Sequence, residues 1–124
     1  MIVGSVQSLA AAANSASYVA AKRALLGLSS AVALDFARSN IRVNCVCPGS
    51  VDTPMLRGSI EEPNSPEKAL ENLSGMHVLG RIGRPEEIAR AIAFLASDWG
   101  ILHHRNYSCC RWRSDDTDWW NELS

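Results

Sequence analysis

The sequence predicts an α/β fold in which helices flank a parallel β-sheet. A strand end at residues 2–3 precedes a long helical pattern over 15–38, with apolar residues three and four positions apart. An alternating segment, 41–47, then runs into a proline-glycine turn, which is typical of a strand that ends at a turn. The helix and the strand after it correspond to half of a βαβ unit. A second helical pattern, 81–98, would cover the sheet.

Length and composition limit the class of protein. The 124 residues correspond to at most one domain, and 47% hydrophobic with 20% charged residues is typical of a soluble globular protein. The net charge of −1 gives no electrostatic reason to expect binding to nucleic acid or to a membrane surface. No apolar run approaches the ~18 residues of a membrane span, and the first residues lack the basic flank of a signal peptide. We therefore expect a cytoplasmic protein.

Three polar residues near the start of the chain have a spacing that suits proton transfer. Ser5 follows the first strand, at the sheet edge where doubly wound α/β folds bind ligands. Tyr18 and Lys22 are four positions apart in the predicted helix and would lie on one face of it. A phenol is a weak acid at neutral pH, but a neighbouring ammonium favours the phenolate and lowers the pKa. Tyr18 could then exchange a proton with a substrate oxygen that Ser5 holds by a hydrogen bond.

The Tyr18–Lys22 pattern is short, and alone it also fits a helix start that carries a surface lysine. Residues 10–14 are a loop of small residues before this helix. An alanine- and glycine-rich stretch, 20–27, would allow close packing against another element. The helical spacing itself rests on four apolar residues: Leu25, Leu28, Val32 and Phe36.

The second strand leads into a further set of candidate residues. Cys45 and Cys47 alternate in the pattern, so they point to one side and are interpreted as buried thiols rather than a disulfide. After the Pro48-Gly49 turn, Thr53 and Pro54 suit the N-cap and first position of a short helix. This helix start needs no ligand to explain it, so a structural role alone remains an alternative to a binding role.

The segment 56–76 contains two prolines, two glycines and several acids, which favours a lid-like loop with a short helix from about Pro66. The acids at 61–62 are interpreted as a solvated surface rather than as ligands. Segment 81–98 is predicted as a helix because Pro85 suits its first turn and acids follow at its positive end. Its apolar residues recur on one face: Ile88, Ile92 and Leu95.

Taken together, these stretches resemble the short-chain dehydrogenase/reductase family. The Ser5 and Tyr18-x-x-x-Lys22 arrangement is followed by IRVNCVCPGSVDTPM at 41–55 and by GRIGRPEEIARAIAFLASD at 80–98. The resemblance runs from about residue 2 to residue 99 and corresponds to the C-terminal half of such an enzyme. It implies the C-terminal part of a Rossmann-like doubly wound parallel sheet with flanking helices, incomplete in this chain, over residues 1–99.

The resemblance also implies an activity, namely hydride transfer between NAD or NADP and a small-molecule alcohol or ketone. Tyr18 would be the general acid and base, and Lys22 would favour its phenolate. Ser5 would orient the substrate oxygen. Tyr18 and Lys22 would also contact the cofactor, Lys22 through its ribose hydroxyls.

By the same resemblance, the turn after the second strand lies beside the nicotinamide. Pro48, Gly49 and the Val51 backbone would line the ring, and Thr53 would contact its carboxamide or the phosphates. The helix at 15–38 is similar to one that packs against its twin in a dimer, so a homo-oligomer is expected. Ordinary packing of this helix on its own sheet is the alternative.

Residues 100–124 differ in character, with three of the four tryptophans, paired histidines and paired cysteines. Read one base out of frame, each tryptophan codon gives glycine and each paired cysteine gives alanine or valine, which restores the family's last strand and V-V-D-G-G-like turn. We interpret the segment as frameshifted near Gly100, poorly ordered and without that strand. Its metal-ligand types have poor spacing, so no metal site is expected at the following residues: His103, His104, Cys109, Cys110, Asp115, Asp116 and Asp118.

The 124 residues contain no Gly-x-x-x-Gly-x-Gly turn, whose helix N-terminus would hold a pyrophosphate. The residue that separates NAD from NADP and the asparagine of the family's proton relay also have no counterpart here. We therefore expect negligible turnover by the chain alone. Two alternatives stay open: a non-catalytic fragment that associates through helix 15–38 with itself or with a full-length paralogue, and a pseudogene product without a role.

Overall fold

A computed structural model describes residues 1–60 and 65–103 in full and residues 107–109 by their backbone. The elements of the described part follow in chain order: β1 (Ile2–Val3), α1 (Ala16–Phe36), β2 (Cys45–Cys47), α2 (Pro54–Gly58), α3 (Pro66–Gly75), α4 (Pro85–Ala96) and β3 (Tyr107–Cys109). Three short 3-10 turns lie between them: Val6–Ser8, Ala37–Ser39 and Asp98–Gly100. Strands and helices alternate as an α/β fold requires.

The three described strands form a parallel sheet with β2 in the centre. Cys45 pairs with Ile2 on one side and with Tyr107 on the other. All residues of β2 are buried, as expected for a central parallel strand that is covered on both faces. This arrangement confirms the predicted fold class, an incomplete parallel sheet with flanking helices.

The second strand is shorter than the sequence pattern predicts. The prediction of a strand over 41–47 is wrong for residues 41–44, because only Cys45–Cys47 pair as a strand. A strand needs a neighbour with which to exchange hydrogen bonds, and the neighbouring strands β1 and β3 pair only with residues 45–47. The amide of Ile2 still donates to Asn44 O across 2.9 Å, so the backbones stay close there without continuing the ladder.

The third strand lies in the segment that was expected to lack one. Residues 107–109 pair with the full length of β2, so the expectation that the sheet has no last strand is wrong at these residues. Without β3, the edge of β2 away from β1 would present unpaired backbone groups, and such an edge is a template for a further strand. The remainder of the expected tail, 104–106 and 110–124, lies outside the described residues.

Helix α1 follows the predicted span of 15–38 closely, and a 3-10 turn extends it to Ser39. Asn40 then has a φ of 57°, a left-handed conformation that asparagine tolerates better than most residues. The buried residues of α1 are Ser29 and Ala33, and their small side chains let the helix lie close to its neighbours. Three larger apolar side chains of this helix are 45–64% exposed: Leu28, Leu34 and Phe36.

Two of the short helices begin where the sequence predicts. Thr53 Oγ1 accepts a hydrogen bond from Leu56 N across 3.2 Å, which confirms Thr53 as the N-cap of α2. Pro54 is the first residue of α2, and Pro66 is the first residue of α3. Proline suits these positions because the first helical N–H has no partner within the helix.

Helix α4 starts later than predicted. The predicted helix over 81–98 is wrong for residues 81–84 and 97–98, because α4 begins at Pro85 and ends at Ala96. The Glu87 carboxylate accepts hydrogen bonds from Arg84 N, at 2.8 Å, and from the Arg81 guanidinium, at 2.7 and 2.8 Å. These contacts fix Arg81 and Arg84 to the first turn of the helix. They also lower the pKa of Glu87 to about 2.

Arg42 closes the other end of α4. Its Nη1 donates to Leu95 O and to Gly100 O, each at 2.7 Å, and its Nη2 donates to Ser97 O at 2.9 Å. The last carbonyls of a helix have no partner within the helix, so the guanidinium supplies their donors and a favourable charge. This contact connects the segment before β2 to the end of α4.

The two cysteines of β2 pack with Gly4 in the core. Cys45 and Cys47 are fully buried, and their Sγ atoms lie 3.9 Å apart. An S–S bond is about 2.05 Å long, so the two residues are not bridged to each other, as predicted. A Cβ at Gly4 would approach Ser8 Oγ to 2.9 Å and Cys47 Sγ to 3.1 Å, so only glycine fits at the end of β1.

Candidate active site

A cleft of about 750 Å³ opens at the carboxyl ends of β1 and β2. Open α/β sheets bind ligands at this edge, and small-molecule or cofactor pockets usually measure about 300–1,000 Å³. All residues that the sequence predicts for the site line this cleft: Ser5, Tyr18, Lys22, Pro48, Gly49, Val51 and Thr53. The fold therefore brings the predicted set around one space.

A turn directly after β1 fixes Ser5, which is only 8% exposed. Ser5 Oγ accepts a hydrogen bond from Gln7 N at 3.2 Å, and Ser8 Oγ accepts one from Ser5 N at 3.0 Å. This reciprocal arrangement is a capping box at the start of the Val6–Ser8 turn. Because a hydroxyl has two lone pairs and one proton, the Gln7 contact leaves the Ser5 proton for an oxygen in the cleft.

Tyr18 and Lys22 lie one turn apart on α1. Lys22 Nζ is 5.6 Å from the centroid of the Tyr18 ring, within the range of a cation–π contact. The same Nζ donates a hydrogen bond to Val3 O at 3.3 Å, which anchors the ammonium at the end of β1. Tyr18 is 41% exposed, so a ligand in the cleft can reach it.

The segment from Pro48 to Thr53 forms one side of the cleft, which we call the cleft floor. Val51 forms a parallel bridge with Gly83, and Asp52 N donates to Gly83 O at 2.9 Å. Asp52 also accepts two hydrogen bonds from Arg57, at 2.7 and 2.8 Å, and these hold the pKa of its carboxyl below the usual value. The floor is thus fixed to α2 through Arg57 and to the segment before α4 through Gly83.

His77, which no sequence pattern indicates, packs behind the cleft floor. It is 8% exposed, and its Nε2 accepts a hydrogen bond from Ser50 N at 3.2 Å. Burial lowers the pKa of this imidazole, because the charged form loses its solvation. The two residues are 27 positions apart, so a local reading of residue spacing gives no signal of their contact.

Side chains from the predicted lid segment, 56–76, and from α2 complete the wall of the cleft. They are mostly apolar, with one carboxamide: Met55, Leu56, Ile60, Ala69, Asn72 and Leu73. The helix predicted from about Pro66 is α3, so the lid-like segment does border the site. The acids at 61–62, expected to be solvated, lie outside the described residues.

The described part of the chain has neither a metal-ligand cluster nor an apolar helix of membrane-spanning length. Within residues 1–60 and 65–103, no group of three or more His, Cys, Asp or Glu side chains is placed to hold a metal ion. His103 instead packs its ring edge against Phe94, with ring centroids 5.6 Å apart. Among the helices described, none has the length and apolar character needed to cross a bilayer. Of the other residues weighed as metal ligands, Cys109 is described by its backbone only, and the rest lie outside the described residues: His104, Cys110, Asp115, Asp116 and Asp118.

Comparison with known proteins gives consistent matches over most of the chain. Residues 1–102 match a family described as Enoyl-(Acyl carrier protein) reductase. The Dehydrogenase/reductase SDR family member 6 of Aquarana catesbeiana is 43% identical over 91 residues. These residues are 73% of this chain and 37% of that protein.

Solved structures with the same arrangement extend the comparison to the fold. A short chain dehydrogenase family protein from Francisella tularensis subsp. tularensis SCHU S4 superposes with a TM-score of 0.82 at 34% identity. The match covers 87% of this chain and 48% of that protein. ElxO with NADP bound superposes with a TM-score of 0.76 at 27% identity, over 87% of this chain and 42% of ElxO. The chain thus spans less than half the length of these relatives.

Proposed function

Because the chain belongs to the short-chain dehydrogenase/reductase family, we propose that it carries the proton-transfer part of an NAD(P)-dependent alcohol or carbonyl oxidoreductase. The observation that carries the proposal is the single cleft that Ser5, Tyr18 and Lys22 share with the turn after β2. The chain forms part of a Rossmann-like sheet. The complete reaction would also need a cofactor-binding half of the kind that its longer relatives possess.

In the proposed reaction, Tyr18 is the general acid and base. Its Oη gives a proton to the substrate oxygen in carbonyl reduction and takes that proton back in alcohol oxidation. The Ser5 hydroxyl donates a hydrogen bond to the same oxygen and stabilises the negative charge that develops on it. The Lys22 ammonium, 5.6 Å from the centroid of the Tyr18 ring, stabilises the phenolate that remains after proton transfer.

The chemistry of the cleft floor fits the nicotinamide end of NAD or NADP, which supplies or accepts the hydride. Pro48, Gly49 and the Val51 backbone would hold the ring. Thr53 would contact the carboxamide or the phosphates. Tyr18 and Lys22 would contact the ribose hydroxyls. ElxO was solved with NADP bound, which supports this cofactor class.

We expect the 124 residues by themselves to show negligible turnover. They contain no Gly-x-x-x-Gly-x-Gly turn to hold the pyrophosphate. The proposed substrate is a small alcohol or ketone, and the proposed location is the cytoplasm. The purified chain is mixed with NADH or NADPH and a panel of ketones, and the oxidation of the reduced nicotinamide is followed. Oxidation above the background without protein would contradict the expected inactivity.

The division of the chain into residues 1–99 of the family and a foreign tail, 100–124, is also a proposal. In this account, the tail is translated one base out of frame from about the codon of Gly100. Sequencing the genomic DNA tests it directly. A spare base near that codon would support the frameshift, and an intact reading frame in closely related genomes that encodes the same tail would contradict it.

The exposed apolar side chains of α1 favour a second candidate function, a non-catalytic fragment that associates through this helix. Leu28, Leu34 and Phe36 are 52%, 64% and 45% exposed. Burial of such side chains at an interface would be favourable, and the partner would be a second copy or a full-length paralogue. Size-exclusion chromatography and circular dichroism test this candidate. A monomeric or unfolded chain would count against it.

A further inference from the structure

His77 connects the segment that leaves α3 to the cleft floor through its side chain, in addition to the backbone bonds of Gly83 with Ser50 and Asp52. His77 comes two residues after the end of α3, and its Nε2 accepts a hydrogen bond from Ser50 N at 3.2 Å. An imidazole nitrogen accepts only when it carries no proton, so this contact requires Nε2 to be unprotonated. The contact joins two segments that are 27 positions apart in the chain.

The packing of the ring against the backbone strengthens this attachment. A Cβ placed on Gly49 would overlap His77 Cε1 and would approach Nδ1 to 3.2 Å. The imidazole therefore occupies the space in which any side chain at position 49 would lie. Gly49 and His77 form a matched pair, in which the absence of one side chain makes room for the other.

The ring lies on the opposite side of the cleft floor from the candidate active site. His77 lines a second cavity of about 290 Å³, together with Gly49, Ser50 and Val51. It is not among the residues that line the larger cleft. His77 therefore has no direct route to a substrate in that cleft, and any influence must pass through the floor.

We propose that His77 is a positioning residue that holds residues 49–50 of the cleft floor against the end of the lid helix α3, so that floor and lid move together. The proposal rests on the proposed function only in treating residues 48–53 as the floor of a cofactor site. The shared boundary supports it, because Ala69, Asn72 and Leu73 of α3 line the same cleft as Gly49 and Ser50. A rigid connection between these walls would preorganise the cleft.

Acidification should release this connection. A protonated imidazole would direct an N–H at the Ser50 N–H, so the hydrogen bond would be lost. Burial already disfavours the charged imidazole. The charged residues that line the second cavity with His77 are Arg81 and Glu87, and they pair with each other at 2.7 Å. Glu87 is therefore engaged with Arg81 rather than placed to stabilise an imidazolium.

Amide hydrogen exchange of the full chain, measured residue by residue by NMR, tests the proposal. In His77→Phe the ring remains but the acceptor is lost, so protection of the Ser50 amide should fall roughly tenfold, the scale of one hydrogen bond. Protection in the last turn of α3 should fall with it. His77→Gln retains an acceptor and should restore much of the Ser50 protection. His103→Phe, a replacement at the histidine beside Phe94, should leave Ser50 unchanged.

The unmodified chain provides a second arm that does not depend on a variant folding. Its Ser50 protection factor, corrected for intrinsic exchange, should fall as the pH is lowered from 6.5 through the lowered pKa of the imidazole. Unchanged Ser50 protection in His77→Phe, equal losses in His77→Phe and His77→Gln, or a pH-independent protection factor would each overturn the proposal. The measurement uses neither cofactor nor substrate. Its failure would therefore leave the proposed function standing, and failure of the proposed function would leave this result unaffected.

Discussion

The ammonium of Lys22 donates a hydrogen bond to the carbonyl oxygen of Val3 across 3.3 Å, and so ties α1 to the end of β1. The residues after β1 turn at once into the capping box of Ser5, while Tyr18 lies one turn before Lys22 on α1. The Lys22 side chain thus links the strand that positions Ser5 to the helix that positions Tyr18. The arrangement makes Lys22 a structural link as well as the proposed partner of the phenol.

Close packing at the end of β1 should make Gly4 intolerant of substitution. In Gly4→Ala the added Cβ would meet Ser8 Oγ at 2.9 Å and the sulfurs of Cys45 and Cys47 at 3.1–3.2 Å. Overpacking of this kind typically costs about 1–3 kcal/mol, and urea unfolding followed by circular dichroism measures that loss.

Gly27 is the matched control for this substitution. It lies within α1, and an added Cβ would meet nothing within 4 Å. Gly27→Ala should therefore stabilise the protein by about 0.5–1 kcal/mol, because alanine is the better helix former. Equal effects at the two glycines would show that the approach of β1 to β2 is not as close as described.

The contact of Arg42 with the end of α4 should contribute measurably to stability. Arg42→Ala removes the donors from Leu95 O, Gly100 O and Ser97 O, and leaves helix-end carbonyls without them. Hydrogen bonds from a charged group contribute about 1.5–3 kcal/mol, and we expect a loss of that order in the urea unfolding free energy. Arg42→Lys retains the charge but not the planar set of donors, so it should recover only part of the loss.

The hydroxyl of Thr53 should have a structural role that is separable from any cofactor contact. Thr53→Ala removes the acceptor of Leu56 N and should destabilise the protein by about 1 kcal/mol. Thr53→Ser keeps the hydroxyl and should be close to the unmodified protein in urea unfolding. A Thr53→Ala variant as stable as the unmodified protein would contradict the N-cap.

Burial of His77 predicts the sign of a pH dependence of stability. Its pKa is lowered in the folded protein from the ordinary 6.5, so between these two values the unfolded chain binds more protons than the folded one. Stability should therefore fall as the pH drops from about 6.5 through the lowered pKa. His77→Gln should flatten this part of the curve in urea unfolding at a series of pH values. Glu87, whose pKa is lowered to about 2, loses its contribution only at lower pH, as its carboxylate is protonated between 4.5 and that value.

Local rules predicted several helix starts and the relation of Tyr18 to Lys22, whereas the residues of the cleft floor were expected only from the family resemblance. Helix α2 begins with a proline that follows a capping threonine, and α3 begins with a proline alone. Both signals come from adjacent residues, so the sequence reveals them. The four-residue spacing of Tyr18 and Lys22 places them on one face of α1 without reference to the rest of the molecule.

The features that the sequence did not predict depend on residues far apart in the chain. The length of β2 matches the residues that its neighbours β1 and β3 pair with, not the alternating pattern of 41–47. Arg42 meets carbonyls 53 to 61 positions away, and His77 meets an amide 27 positions away. Such contacts depend on how the helices and strands pack together, so a local sequence pattern does not predict them.

The proposed proton transfer by the Tyr18 hydroxyl is tested most directly by the ratio of two turnover numbers. Two chimeras are compared in which the part of ElxO that this chain does not match is joined to this chain, one with Tyr18 and one with Tyr18→Phe. Circular dichroism and NADPH binding serve as controls that both are folded and loaded. We predict ketone reduction by the first and a turnover number lower by roughly 10²–10⁴-fold in the second, the usual contribution of a general acid. Equal turnover by the two chimeras would contradict the account.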